Sequence, residues 1–269
     1  MGSLLEQTKQ ERIKKQKKEK TYTFICNVIA PIVLLIVLFG VWELIVVSNN
    51  IENWQFPRFS AVVSSVVNEF SDYWPNFLRT FSSIAIGWFF AVIVGIIIAA
   101  IIANFNIIGV ALTPYLNLLC TLPIVTVVPM MYVFMGVGKK VIIIAIILQS
   151  FAIVNLNSIT GFLNVPVIRK ELMTSLRANR IQMFFRCLLP SALPNIFTGM
   201  RLSAIFATTT CISSEFCGSM VGLGAHIIVA RQYMRSDQVF GSIFFVAIIG
   251  LFFYLGLTLL ERLIVTWKE

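Results

Sequence analysis

Long apolar stretches alternate with short polar ones along the chain. A helix crossing a membrane needs about 20 apolar residues to cover about 30 Å of hydrocarbon. Segments 24–47, 81–103, 107–135, 141–163, 195–218 and 239–265 approach or exceed that length. The third is interrupted by Pro114, Pro123 and Pro129. Each proline removes a helical hydrogen bond, so this stretch reads either as a discontinuous helix lining a pathway or as a kinked packing helix. Gly87 and Gly95 in the second stretch allow close helix packing. A short interfacial helix fits 60–70, and 219–237 reads as a Gly-containing loop.

One stretch breaks the pattern, Val167 to Pro194, VIRKELMTSLRANRIQMFFRCLLPSALP. Ile168, Leu172 and Leu176 recur at i, i+4, and Ile181, Phe184, Phe185 and Leu188 at i, i+3, i+4, i+7. Both sets predict an apolar face on a helix. Arg169, Lys170, Glu171, Arg177, Arg180 and Arg186 fall mainly elsewhere. Too charged for lipid and too amphipathic for a plain loop, the island predicts two short helices at the membrane surface.

Composition agrees with a polytopic membrane protein: 58% of the 269 residues are hydrophobic and 12% charged, against about 25% charged in soluble domains. The net charge of +9 is unevenly spread, with seven Lys or Arg in residues 1–20. Such a tail fits a cytosolic topology anchor rather than a nucleic-acid contact. Six spans put both termini and the island on one side. That side then carries fourteen basic residues and the other carries six, Arg58, Arg79, Lys139, Lys140, Arg231 and Arg235, as the positive-inside rule requires.

The chain has five cysteines without a C-x-x-C pair and a single histidine, His226. No disulfide framework or histidine metal cluster follows. No phosphate-binding loop, zinc-protease motif or nucleophile elbow is present, so the chain reads as neither an enzyme nor an ATP-binding subunit. The polar residues within the spans are the remaining candidates. Thr208, Thr209, Thr210, Ser213, Ser214 and Glu215 fall within about two turns. A carboxylate inside a span costs about 2.5–3.5 kcal/mol on insertion scales. Glu215 is therefore a pathway or gating residue, or the acceptor of a structural hydrogen bond, or solvated near the outer surface. The hydroxyls either line a path or bond to their own backbone. Gln149, Asn155 and Asn157 fit helix–helix hydrogen bonds.

The order E-L-M-T-S-L-R-A-N followed by L-L-P-S-A-L-P resembles the EAA loop of binding-protein-dependent ABC importer permeases, in the subgroup for nitrate, sulfonates, taurine and thiamine precursors. Glu171 matches the loop's Glu, and Leu189-Pro190 with Pro194 its Leu-Pro tail. Leu172 and Met173 replace two alanines, and Arg177 stands where the family has Gly. The resemblance covers about Pro57 to Glu269. It implies an all-α membrane protein with six transmembrane helices and a cytoplasmic coupling-helix loop, 167–190, between spans 4 and 5. Residues 1–20 form a tail and 21–269 the permease domain. The coupling residues are then Glu171, Leu172, Ser175, Leu176, Arg177, Ala178 and Arg180. Thr208, Thr209, Ser213, Glu215 and Pro123 are the pathway candidates. The implied partners are cytoplasmic ATPase subunits holding ATP and Mg, an extracytoplasmic solute-binding protein, a second copy of the chain and the lipid bilayer of a bacterial inner membrane. No cofactor, metal or nucleic acid is expected on this chain. An ion-coupled carrier using Glu215 is the alternative.

Overall fold

The computed structural model describes residues 29–104 and 106–267. The basic tail, the first residues of the earliest expected span and Lys268 lie outside the described residues. The chain divides into two compact units between Ser64 and Ser65.

The first unit contains α1 (Ala30–Ser48) and the start of α2 (Phe59–Asn68). Glu43, near the end of α1, accepts hydrogen bonds from the Ser60 hydroxyl at 2.8 Å and the Ser60 N–H at 3.2 Å. It thus satisfies a free donor in the first turn of α2. Trp42 donates to the Pro57 carbonyl at 3.0 Å, and the Phe39 and Phe59 rings stack 4.5 Å apart.

The second unit is built on α3 (Phe70–Asn104), α6 (Lys139–Leu163), α9 (Leu189–Phe216) and α11 (Ser236–Ile264). Helix α6 packs most extensively, against α3 on one side and α9 on the other. Lys139 donates to the Ser82 hydroxyl at 2.6 Å, so α3 and α6 start at the same end. Helix α9 returns to that end, where Glu215 meets Thr80.

Lipid offers no hydrophobic force to join helices, so they must approach closely or share hydrogen bonds. Both occur along α6. A Cβ on Gly95 would lie 2.9 Å from the Phe151 carbonyl oxygen and 2.9 Å from Val154 Cβ; one on Gly199 would lie 2.7 Å from Asn157 Cβ. Asn155 donates to the Gly95 carbonyl at 2.9 Å, and Ser150 to the Ser203 carbonyl at 3.4 Å. A Cβ on Gly87 would lie 2.7 Å from Ile146 Cγ2, and Gln149 donates to the Cys120 carbonyl at 3.5 Å, so the packing roles expected of Gly87, Gly95, Gln149 and Asn155 agree with this geometry. Asn157 bonds its own helix, at Ile153. The charge on Arg201, inside α9, is met by Glu261 of α11.

The proline-broken stretch forms α4 (Asn106–Thr121) and α5 (Ile124–Met135), which meet at a 92° bend at Leu122–Pro123. Among the described residues four helices are long and apolar enough to cross a membrane, and a fifth if the bent pair is one crossing. The described part of the first expected span gives a shorter apolar helix. Helix α3 also begins at Phe70 rather than 81. Its added turns are amphipathic, with Tyr73 and Thr80 buried and Asp72 exposed, so a hydropathy window misses them. The expected loop 219–237 contains a helix, α10 (Leu223–Gln232).

Gly95→Val is expected to lower stability by about 1–3 kcal/mol through overpacking against α6. Gly250→Ala, whose Cβ meets nothing within 4 Å, should be neutral or slightly stabilising. Thermal unfolding of the two variants in detergent checks the contrast.

Candidate functional site

The island lies at the end of the second unit opposite Lys139. Pro166 leads into α7 (Val167–Ser175), which has no buried residue. Ile168, Leu172 and Leu176 are 78%, 59% and 68% exposed, so the apolar stripe is uncovered. Two caps fix its end. The Ala178 N–H bonds the Met173 carbonyl at 3.0 Å, and the Arg177 N–H bonds the Thr174 carbonyl at 2.9 Å. This is a Schellman closure, and the residue after the C-cap must turn left-handed. Arg177 does so at φ 53°. The Arg at the family's Gly position therefore keeps the turn, at the strain that Gly avoids.

Asn179 then starts α8 (Arg180–Met183) through a reciprocal capping box. Its side chain accepts from the Gln182 N–H at 2.8 Å, and the Gln182 side chain accepts from the Asn179 N–H at 3.0 Å. A π-helical turn follows at Phe184–Leu188, directly before Pro190. Pro190 cannot donate to residue 186 and its ring would crowd that carbonyl, and the wider turn absorbs both defects. The second island helix therefore runs unbroken into α9, Arg180–Phe216, where the sequence predicts a separate short helix. The pattern looks discontinuous because charge ends at Arg186 and hydropathy rises only later.

Of the expected coupling residues, Glu171, Ser175, Leu176 and Arg177 are exposed on α7 and its turn, and Ala178 is half-buried. Leu172 lines a cavity of about 320 Å³ with Arg169, Arg186, Cys187 and Trp267. Arg169 bridges to the Ser191 hydroxyl at 3.2 Å, tying α7 to α9. Arg180 faces away from α7, into a groove beside α3.

The pathway candidates do not converge. Thr208 is buried and bonds the Ala204 carbonyl; Thr209 is exposed and bonds Ile205 and Phe206. Ser213 is half-buried, and Pro123 is exposed at the α4–α5 bend. Glu215 is 1% exposed. Its carboxylate accepts from Thr80 Oγ1 at 2.8 and 3.1 Å and from the Gly224 N–H at 2.7 Å. Thr80 Oγ1 in turn accepts from the Leu223 N–H at 2.9 Å. Glu215 and Thr80 thus satisfy two free donors in the first turn of α10. The backbone comes so close that a Cβ on Gly222 would fall 2.3 Å from Glu215 Oε1. Thr80 and Gly224 are partners of Glu215 that sequence reading misses, since Thr80 lies 135 residues from Glu215.

Beside this knot, Arg235 and Gln238 each donate to Glu69 at 2.6 Å. Burial works to raise the Glu69 pKa, but the bonds from Gln238 and Arg235 outweigh it and hold the carboxyl below its ordinary 4.5. Burial also pushes the His226 imidazole down; its Nδ1 lies 2.8 Å from the Ser242 hydroxyl.

Residues 91–267 match the family described as binding-protein-dependent transport system inner membrane component. The chain belongs to this family. It is a transport permease component rather than an enzyme, of a class that works with an ATPase and a solute-binding protein. The taurine transport system permease protein TauC of Escherichia coli (strain K12) is 29% identical over 72% of this chain and 70% of its own length. The nitrate import permease protein NrtB of Synechocystis sp. is 24% identical over 96% of this chain and 97% of its own. A solved chain of the MetNI methionine ABC transporter, inward facing, superposes with a TM-score of 0.63 at 16% identity, covering 73% of this chain and 98% of that one. At that identity the likeness is one of fold. The resemblance read from the island agrees with the family.

Glu215→Ala strands two buried donors and is expected to cost about 1–3 kcal/mol, with new protease cleavage between Gly218 and Tyr233. Thr209→Val should leave both readouts unchanged. A Glu215→Ala protein with wild-type thermal stability and protease resistance would remove the capping role.

The Glu69 contribution has a defined sign. With its folded pKa depressed, the stabilisation is fully present above 4.5 and lost as the pH falls through the lower folded value. Glu69→Gln should therefore flatten the acid limb of the stability profile, measured as unfolding temperature against pH.

Proposed function

We propose that this chain forms the solute pathway of an ATP-driven importer, and that 167–190 is the segment its ATPase grips. One observation carries the reading. A helix, capped at its end and bonded to a membrane-spanning helix, presents an apolar stripe that the second unit leaves uncovered. Stripe residues Ile168 and Leu176 supply apolar contact. Glu171, which makes no ion pair among the described residues, supplies register. Leu172, Ser175, Arg177 and Ala178 complete the contact zone, and Arg180 flanks it. The ATP and Mg belong to the partner.

The charge asymmetry along the chain favours a cytosolic island. One island per chain fits one ATPase per chain, and paired nucleotide sites call for a second copy. Alternating access follows: closing ATPases draw the islands together, and α9, continuous with the island, carries the displacement into the membrane. Thr209 and Ser213 lie on the less covered side of α9 and are the preferred pathway residues of the expected set. The engagement of Glu215 by Thr80 and Gly224 favours a structural role for that carboxylate and weakens the ion-coupled alternative.

The solute is a small one of the kind that the relatives' names carry, taurine or nitrate. A sulfonate and a thiamine-precursor pyrimidine belong to the same range.

Leu176→Asp and Glu171→Ala should each reduce co-purification of an ATPase from solubilised membranes by tenfold or more, about the cost of a docking hot spot. Their own membrane insertion and unfolding temperature should not change. Arg177→Gly, relieved of left-handed strain, should retain the ATPase. Wild-type recovery of the ATPase with Leu176→Asp would count against the island as the docking element.

A further inference from the structure

A groove of about 490 Å³ runs along the last turns of α3, on the flank of the island away from α7. Ile97, Ala100 and Ile101 form one wall, Phe184 and Leu189 the other, and Arg180 closes the end where α3 stops. The wall is almost wholly apolar, and Arg180 makes no ion pair among the described residues.

We propose that this groove binds one phospholipid, its acyl chain against Ile97, Ala100 and Phe184 and its phosphate on Arg180. The depth carries the argument. The wall belongs to a membrane-spanning helix, so hydrocarbon reaches Ile97 and Ile101. Asn104 ends that helix, so the headgroup layer begins beside Arg180. A guanidinium at that level, over an apolar slot, matches an amphiphile with an acid head and an oily tail. A protein segment offers no reason for a single cation at one end of an otherwise apolar slot. A soluble ATPase would not enter between Ile97 and Leu189, which lie at hydrocarbon depth.

The consequence is specific to the island. Phe184 opens the π-helical turn and Leu189 follows it, so the lipid wedges between α3 and the joint through which the island meets α9. Arg180, expected as a docking residue, serves the lipid instead. The inference rests on the membrane-spanning fold and not on ATPase docking.

Native mass spectrometry of the full chain, purified from vesicles of phosphatidylglycerol and phosphatidylethanolamine and exchanged into detergent, tests it. One retained phospholipid per chain is expected. Arg180→Ala should lower the bound fraction about fivefold, and Ala100→Phe, which fills the slot, should abolish it. Excess inorganic phosphate should not displace the adduct, because the acyl chain contributes most of the binding. Arg180 is exposed, so its variant tests the site even where Ala100→Phe fails to fold. No adduct on the wild type, or equal retention in Arg180→Ala, overturns the proposal. So does efficient disulfide cross-linking of two Ile97→Cys chains, which would make the groove a contact between copies.

Discussion

Helix α6 lies between α3 and α9 at separations that only a hydrogen side chain permits, and the rest of the second unit depends on that contact. In water, burial of apolar surface would join these helices. In lipid it cannot, and the attraction must come from backbone proximity and polar groups. Gly95 and Gly199 let the backbones approach from either side, while Asn155 and Ser150 donate to the buried Gly95 and Ser203 carbonyls. The three-helix layer is consequently the most closely packed part of the second unit. The bent α4–α5 pair and α11 pack around it with far larger exposed faces, among them Val133, Phe134, Leu251 and Phe252.

This close packing bears on the mechanical role proposed for the island. Helix α9 carries the island at one end and Glu215 at the other, without a break between Arg180 and Phe216. Under the proposed docking, this continuous helix would act as a lever and carry a displacement of α7 and α8 towards the carboxylate that caps α10. The π-helical turn with Pro190 behind it, and Pro194, are the departures from regular helix on the way. Both lie near the island, where bending would set the angle of the lever rather than interrupt it.

Much of the fold was legible because membrane helices announce themselves through hydropathy, and much of the island because its apolar residues keep helical spacing against a charged background. Gly87 and Gly95 were also readable as close-packing positions, whereas the three prolines left two readings open; the chain bends at Pro123 and keeps Pro114 and Pro129 inside helices. The Glu215 knot was not. Its partners Thr80, Leu223 and Gly224 are ordinary residues, and only tertiary structure brings a threonine 135 positions away onto the same carboxylate. Helix α10 was hidden for a related reason. Its first turn is capped by another helix and not by a neighbouring Ser or Asp, so the usual start signal is absent from the sequence. The joining of the second island helix to α9 was masked by Pro190, which normally marks a helix start, and here sits behind a π turn that accommodates it.

Arg177 illustrates how a departure from a family pattern can leave geometry unchanged. The turn after α7 needs two backbone bonds to Met173 and Thr174 and a left-handed residue between them. Glycine meets that need without strain. Arginine meets it at a cost of roughly 1 kcal/mol, because its Cβ crowds the following carbonyl. The backbone bonds on one side and the Asn179–Gln182 capping box on the other hold the turn between two fixed helices, which is the over-determination such strain requires. The guanidinium is exposed, so the turn gains a charge at the end of the apolar stripe that glycine could not provide. The substitution trades local relaxation for a cation where the proposed docking partner would meet the helix.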